Sequence, residues 1–358
     1  MSIYIHIPFC SSICTYCDFC KMYYNKKFIK DYLITLEKEI KERYQGEKVR
    51  TIFIGGGTPT SLDESELTKL LEITKIFNKE DNIEFTIESN VESLTEDKLQ
   101  IMKKYGVNRL SIGVQSFNEQ ILKILGRNHT REDIYNKINI AKKYFDNINI
   151  DLIYAVTNDI NKVKEDLKEF LKLDITHIST YSLIIEDKTI LKINDHQNID
   201  EDIDYQMYKM IEEILEENNY IHYEVSNYAK KNYQSKHNLV YWNNEEYYGF
   251  GLGSTSYLKN ERRTNTKNLT KYLNDNYIDE SDYESVETRM ENEIMLGLRK
   301  LEGINLDTFK EKYHISLEEK YNIEKLLQEK HLIKENNYLK INKEYIYISN
   351  EILLKILS

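Results

Sequence analysis

The chain has 358 residues, enough for one large domain with an appendage or for two domains. Its 49 basic and 60 acidic side chains give a formal charge of −11, which argues against a surface built for non-specific nucleic-acid binding. No apolar run reaches membrane-spanning length and no signal-like segment precedes Ser2-Ile3-Tyr4, so a cytoplasmic protein is expected, where structural disulfides are disfavoured.

The first β-branched run, Ile3–Ile7, reads as a strand. It leads into HIPFCSSICTYCDFC, which gathers all four cysteines, Cys10, Cys14, Cys17 and Cys20, into eleven consecutive positions. Residues 26–44 place Phe28, Tyr32, Leu33, Leu36 and Ile40 at helical spacing. Further strands are expected over Thr51–Ile54, Ile83–Ile87, Arg109–Gly113, Ile148–Ile153 and His177–Tyr181. Ser93-Leu94-Thr95-Glu96 reads as a capping box opening a helix, and 131–145 and 161–173 read as two more. Strand followed by helix, six times over, argues an α/β fold with a parallel sheet and right-handed crossovers. Periodicity leaves two arrangements, a partly closed barrel and an open sheet. In both, ligands sit at the carboxyl ends of the strands.

After about residue 260 the pattern changes, so the expected division is 1–260 and 261–358. Helices are predicted over 286–300, 306–313 and 317–329, and 331–350 reads as a hairpin turning at Glu335-Asn336-Asn337. That is a small helical domain with a β-wing. Its Glu and Lys are nearly balanced, and no nucleic-acid partner is expected.

Cys10-x3-Cys14-x2-Cys17 puts three thiolates on one tight loop, a set that can hold three irons of a cubane and leave the fourth without a protein ligand. A structural zinc site would require two separated pairs or a histidine at knuckle spacing. IFIGGGTPT (52–60) is a strand running into a glycine turn. Glycine lets the backbone approach a ligand, so that N–H and C=O groups become the contacts. No Gly-Lys-[Ser/Thr] ending follows, which excludes a Walker-type phosphate loop. FTIESN (85–90) ends a third strand with Glu88 and Asn90. GVNRLSIGVQSFNEQILKILGRNH (106–129) ends a fourth with Gln115 and leads to Arg127, and NINIDLIYAV (147–156) ends a fifth near Asp151.

This CxxxCxxC loop after a first strand, with an aromatic at Tyr16, resembles the radical S-adenosylmethionine (SAM) superfamily. The turn and strand ends resemble one branch of it, the oxygen-independent coproporphyrinogen oxidase-like proteins, and within that branch the HemW-type haem chaperones. HISTYSLIIED (177–187), YEVSNYA (223–229), HNLVYWNNEEYYGFGLGSTSY (237–257) and LGLRKLEGINL (296–306) extend the likeness over nearly the full length. The resemblance implies a partial (β/α)6 radical SAM barrel with a small C-terminal helical domain. It implies a 4Fe-4S cluster on Cys10, Cys14 and Cys17, and SAM contacts from Tyr4, Gly56, Gly57, Thr58, Glu88, Gln115, Arg127 and Asp151. The HNxxYW stretch is associated with haem binding in HemW-type proteins, which makes His237 the candidate axial ligand, with another histidine or a cysteine as the alternatives. The function implied is transfer of haem to a haem-accepting protein, respiratory and membrane-associated. The alternative is a radical SAM enzyme, an oxygen-independent coproporphyrinogen III dehydrogenase or a relative acting on another substrate.

Three departures bear on this. The oxidases proper carry a further cysteine in Cys-x-Cys after the third ligand. Here Asp18-Phe19 follows Cys17, and Cys20 is expected to be a small residue at the start of a helix rather than a fourth ligand. Relatives usually have Gly-Leu-Pro-Gly after the fifth strand, where this chain has Ala155-Val156-Thr157-Asn158. A histidine common in the GAGAHSY stretch of relatives is replaced by Thr255.

Overall fold

The structure, a computed structural model, describes residues 1–357. Six parallel strands lie side by side in chain order: β1 (Ser2–Ile7), β2 (Val49–Gly56), β3 (Lys79–Asn90), β4 (Arg109–Gln115), β5 (Asn147–Tyr154) and β6 (His177–Ser182). Their connections carry α1 (Lys26–Arg43), α2 (Glu64–Ile73), α3 (Glu96–Lys104), α4 (Glu119–Ile124), α5 (Arg131–Ala141) and α6 (Ile160–Leu173), and α7 (Glu201–Glu217) follows β6.

Alternation along these strands sorts the side chains onto two faces. Ile3, Ile5, Ile52, Ile54, Phe85, Ile87, Leu110, Ile112, Ile148, Ile150 and Ile178 join one core with Ile29, Leu33, Leu36 and Ile40 of α1. Residues between them, among them Phe53, Glu88, Arg109, Ser111, Asn149, Asp151, Ser179 and Tyr181, line a cavity of about 430 Å³. Each buried Ile or Leu contributes roughly 1.5–3 kcal/mol. A slip of one residue would drive Arg109 and Asp151 into that apolar core, so the register is strongly specified.

The sheet continues beyond the six strands. At one edge lie β7 (Ile221–Glu224) and β8 (Asn227–Ala229). At the other, β9 (Tyr247–Phe250) pairs parallel with β1 and is followed by antiparallel β10 (Thr255–Leu258), β11 (Glu261–Asn265) and β12 (Ile278–Tyr283). The order is β12-β11-β10-β9-β1-β2-β3-β4-β5-β6-β8-β7, a twelve-stranded mixed sheet that does not close on itself. The expected boundary at 260 falls between β10 and β11, partners in one ladder, and the sheet runs on to Tyr283. Every residue of β12 is exposed, so it carries none of the apolar alternation that marks a strand in sequence. A short helix α8 (Lys236–Trp242) precedes β9.

In the C-terminal part, α9 (Val286–Gly297) and α10 (Leu306–Tyr313) accompany a small sheet of β13 (Ile304–Asn305), β14 (Leu332–Glu335) and β15 (Tyr338–Ile341). Asn336 and Asn337 have φ of 50° and 67°, the two left-handed positions that a tight hairpin turn requires. The hairpin ends at Ile341, and residues expected to prolong it form a 3₁₀ segment and the helix Ser349–Leu357. The helix expected over 317–329 is two short pieces, because Tyr321 is extended between them (φ −123°, ψ 133°). Phe28 is 40% exposed, and Ile29 takes the inward position on α1. The N-cap of α3 is Thr95, while the Ser93 hydroxyl turns back to the Asn90 carbonyl, so the expected box at Ser93–Glu96 does not form. Helix α5 stops at Ala141, short of 145. Among the described residues no helix is long and apolar enough to cross a membrane.

Candidate functional site

The cysteine loop leaves the carboxyl end of β1. Two-residue strands, Phe9–Cys10 and Met22–Tyr23, pair in parallel and close it, and all four thiols are free. Thr15 pins the loop to the end of α4: its N–H donates to the Leu125 carbonyl (3.2 Å) and its hydroxyl to the Ile124 carbonyl (2.7 Å). Arg127 Nη1 lies 3.4 Å from Cys14 Sγ, and Thr58 Oγ1 lies 3.7 Å from Cys10 Sγ. Burial pushes the Cys10 thiol up to about 11, against the pull of the Thr58 hydrogen bond, and burial also raises Cys17. A bound cation reverses such a preference, because a coordinating thiol is deprotonated outright. Among the described residues the three sulfurs of Cys10, Cys14 and Cys17 do not all lie within 4.8 Å of one another. Ligands of a single tetrahedral zinc sit roughly 3.8 Å apart, given Zn–S bonds of about 2.3 Å. The spread suits a cluster in which each sulfur takes its own iron.

The glycine turn after β2 packs directly beneath this loop. Gly56 has φ +110°, and a Cβ there would stand 2.3 Å from the His6 ring; one on Gly57 would stand 2.7 Å from the Pro8 backbone. The amides of the turn are used inside the protein, Gly56 N–H on Glu88 (2.9 Å), Gly57 N–H on Ile7 (2.8 Å) and Thr58 N–H on Phe9 (2.8 Å). The turn therefore cannot donate to a ligand through these groups, whereas its carbonyls and Glu88 can accept. The Thr58 hydroxyl is also engaged, donating to Cys10 and accepting from Asn90 Nδ2 (2.9 Å).

Across the cleft, about 120 Å³ in volume, the wall holds Glu88, Gln115, Arg127 and Asp151 together with the three cysteines and Gly56–Thr58. Burial lifts the Glu88 carboxyl to about 7, the nearby Asp151 charge adding to the rise and the Gly56 amide opposing it. Burial likewise raises Asp151, whose Oδ1 accepts from Asn149 Nδ2 at 2.9 Å. Gln115 sits in a bulge at the end of β4 with φ +71°, a strained conformation for a non-glycine residue and a common mark of functional sites. Arg127 gives Nη2 to Glu92 (2.9 Å) and to the Gly113 carbonyl (2.9 Å), while its Nε is buried without a partner. Glu92 also takes His129 Nδ1 (3.0 Å). Burial would raise that carboxyl, but the His129 hydrogen bond and the Arg127 charge outweigh it and hold it at about 2.

Two candidates from the sequence stand apart. Tyr4 does not line the cleft; its hydroxyl bonds His6 Nδ1 (2.9 Å), and His6 Nε2 bonds the Cys20 carbonyl (2.7 Å), so Tyr4 braces the loop from below. His237 is 1% exposed, with Nδ1 on Thr51 Oγ1 (2.8 Å), Nε2 on the Tyr241 hydroxyl (2.8 Å) and its ring stacked on Phe53. Both nitrogens are taken, so in this arrangement His237 does not fit the role of axial haem ligand. Cys20 lies outside the cleft, in the loop before Met22–Tyr23 rather than at a helix start. The reading of the sequence passed over Glu92, His129, Arg109 and Asn149. The two-residue alternation of polar with apolar positions in RLSIGVQ and NINID would have found Arg109 and Asn149.

A profile of the radical SAM superfamily matches residues 4–178, and one of the HemN C-terminal domain matches 285–349. The chain is 38% identical to the heme chaperone HemW of Lactococcus lactis, over 99% of this chain and 97% of that one. It is 38% identical to the heme chaperone HemW of Bacillus subtilis, over 88% of each. It is 33% identical to the mitochondrial radical S-adenosyl methionine domain-containing protein 1 of Danio rerio, over 71% of this chain and 59% of that one. Its fold matches the coproporphyrinogen III oxidase HemN of Escherichia coli with a TM-score of 0.87, over 99% of this chain and 89% of that one, at 19% identity.

Proposed function

Because this chain belongs to the radical SAM superfamily and, within it, to the HemW haem chaperones, we propose that it is a haem-trafficking protein that holds a 4Fe-4S cluster and SAM and passes haem to an acceptor haemoprotein. The observation that carries this reading is the meeting in one cleft of the three thiols with the glycine turn, Glu88, Gln115 and Asp151. Cys10, Cys14 and Cys17 would hold the cluster, which when bound would supply one electron and a site for SAM. The rest of the chain positions SAM. The turn carbonyls and Glu88 would accept from its amino group, Gln115 and Asp151 would accept from ribose hydroxyls, and Arg127, on the cleft wall, would supply the positive charge that faces the carboxylate.

Haem is cargo. The cavity of about 430 Å³ beside the cleft is rimmed by Phe19 and Ile184, 63% and 70% exposed, an apolar mouth suited to a flat macrocycle. Clustered free thiols suit a reducing compartment, and we place the protein in the cytoplasm, delivering to a respiratory haemoprotein at the membrane. The test is transfer: protein reconstituted anaerobically and loaded with haem is mixed with an apo-globin, and the Soret band should move to that of the globin. Conversion of coproporphyrinogen III to its divinyl product, with SAM and a reductant, would overturn the reading in favour of a decarboxylating enzyme.

A further inference from the structure

The lumen of the parallel strands contains a charge that nothing in the protein answers directly. Arg109, the first residue of β4, is 2% exposed; among the described residues it makes no ion pair and no side-chain hydrogen bond, and its Nε is buried without a partner. The other buried guanidinium, that of Arg127, bonds Cys14, Glu92 and Gly113. Of the nearby carboxylates, Glu84 is occupied by the Lys236 and His237 N–H groups (3.0 Å each), and the other two stand higher on the sheet. Glu88 is level with Ser111 and Asp151 with Gly113, two and four residues beyond Arg109, or roughly 7 and 13 Å along the strand. The charges of Glu88 and Asp151 feel Arg109 only at a distance, so its guanidinium faces the cavity with no anion in hydrogen-bond contact, and a ligand that supplies one is favoured there. Arg109 forms part of the wall of the cavity of about 430 Å³, whose other end is walled by Phe19, Ile153, Leu183 and Ile184.

From this juxtaposition we infer that the lumen is a binding site for an organic acid, in which Arg109 receives a carboxylate arm and the apolar upper wall receives the body that carries it. The planar fork of arginine matches a carboxylate with two parallel hydrogen bonds, which lysine cannot reproduce. Ser111, Asn149 and Ser179 lie on the same wall and keep the approach polar. The inference deepens the reading above by naming the propionate as the part of a tetrapyrrole that the lumen recognises. It rests on that reading only for the identity of the apolar body.

The probe is therefore not haem. 3-Phenylpropionate and its uncharged amide are titrated by calorimetry against the reconstituted full-length protein, against Arg109→Gln and against Arg109→Lys. The wild type should prefer the acid by roughly 10- to 100-fold, the range that charge-assisted hydrogen bonds supply. Arg109→Gln should abolish the preference and Arg109→Lys should retain part of it. Because the charge is unpaired, Arg109→Gln should melt no lower than the wild type and keep its cluster spectrum. If it does not fold, Arg109→Lys and the wild-type ratio carry the decision. Equal binding of acid and amide by the wild type, or an unchanged preference in a folded Arg109→Gln, overturns the inference. A preserved acid preference alongside failed haem transfer would leave this site standing and remove the chaperone reading; haem transfer without any acid preference would do the reverse.

Discussion

Thr58 and Cys10 are joined by one hydrogen bond, the threonine hydroxyl standing 3.7 Å from the cysteine sulfur while Asn90 Nδ2 holds that hydroxyl from behind at 2.9 Å. Through this hydroxyl, strand β3 reaches the cysteine loop.

A hydrogen bond to a cluster-ligating sulfur favours the reduced, more electron-rich state. Thr58→Val should leave iron and sulfide content unchanged but lower the midpoint potential. At about 1 kcal/mol for the bond, the expected shift is about 40 mV for a one-electron couple. Thr58→Ser should restore it. Potentiometry followed by electron paramagnetic resonance reads the difference, and equal potentials in all three proteins would remove the role given to the hydroxyl.

Replacing Cys10, Cys14 or Cys17 by Ala should abolish the cluster, whereas Cys20→Ala should retain about four iron and four sulfide per chain. The Cys20 carbonyl, not its thiol, is what His6 holds, so truncating the side chain spares that contact. Chemical analysis of anaerobically reconstituted protein, with the visible charge-transfer band, distinguishes the four variants. A bleached Cys20 variant would make it a fourth ligand.

His237 should act on stability rather than on haem. Burial, then the Arg109 and Arg50 charges, depress its ring to about 3, below the value near 6.5 expected for the unfolded chain. A histidine with a lowered folded-state value binds its proton more readily when unfolded. Its contribution is therefore complete above pH 6.5 and is lost as pH falls toward 3. Between pH 7.5 and 5 the loss should be about 2 kcal/mol, read as a falling urea midpoint, and His237→Gln should flatten that slope. Haem affinity of the folded variant should stay close to wild type. A tenfold drop at unchanged stability would return His237 to the haem site.

Ala155 occupies the left-handed region with φ +61° just after β5, where relatives usually have glycine. An alanine there costs about 1–2 kcal/mol, and glycine's greater freedom in the unfolded chain offsets part of any gain. Ala155→Gly should therefore stabilise by about 0.5–1 kcal/mol in equilibrium unfolding. A neutral or destabilising result would mean that the neighbouring Val156 and Ile153 contacts, not the backbone, fix this turn.

The parallel strands and the cysteine loop were legible because each rests on a local signal: β-branched runs between amphipathic stretches, and three thiols in eight positions, Cys10 to Cys17. The antiparallel strands β11 and β12 were not: β11 is polar throughout, β12 is an exposed edge that needs no apolar alternation, and their pairing is set by partners elsewhere in the chain. Glu88, Gln115 and Asp151 lie in the carboxyl halves of β3, β4 and β5 and Arg127 follows α4, and the structure brings all four to one cleft. Tyr4, expected at SAM, and His237, expected at haem, are both engaged elsewhere for a shared reason. Sequence gives the residue type suited to a ligand, but not whether a neighbour such as His6, Thr51 or Tyr241 already occupies its polar atoms.

The bonds from Thr15 to the end of α4, with Arg127 at Cys14, have a thermodynamic consequence. In small metal-folded modules the metal must organise its own ligands, and stripping it unfolds the chain. Here the two Thr15 bonds, to the Leu125 and Ile124 carbonyls, involve no sulfur, so they hold the loop to α4 independently of its thiols. Loss of the cluster should then cost this fold less than it costs a metal-folded module, because the loop keeps a tether that no thiol supplies.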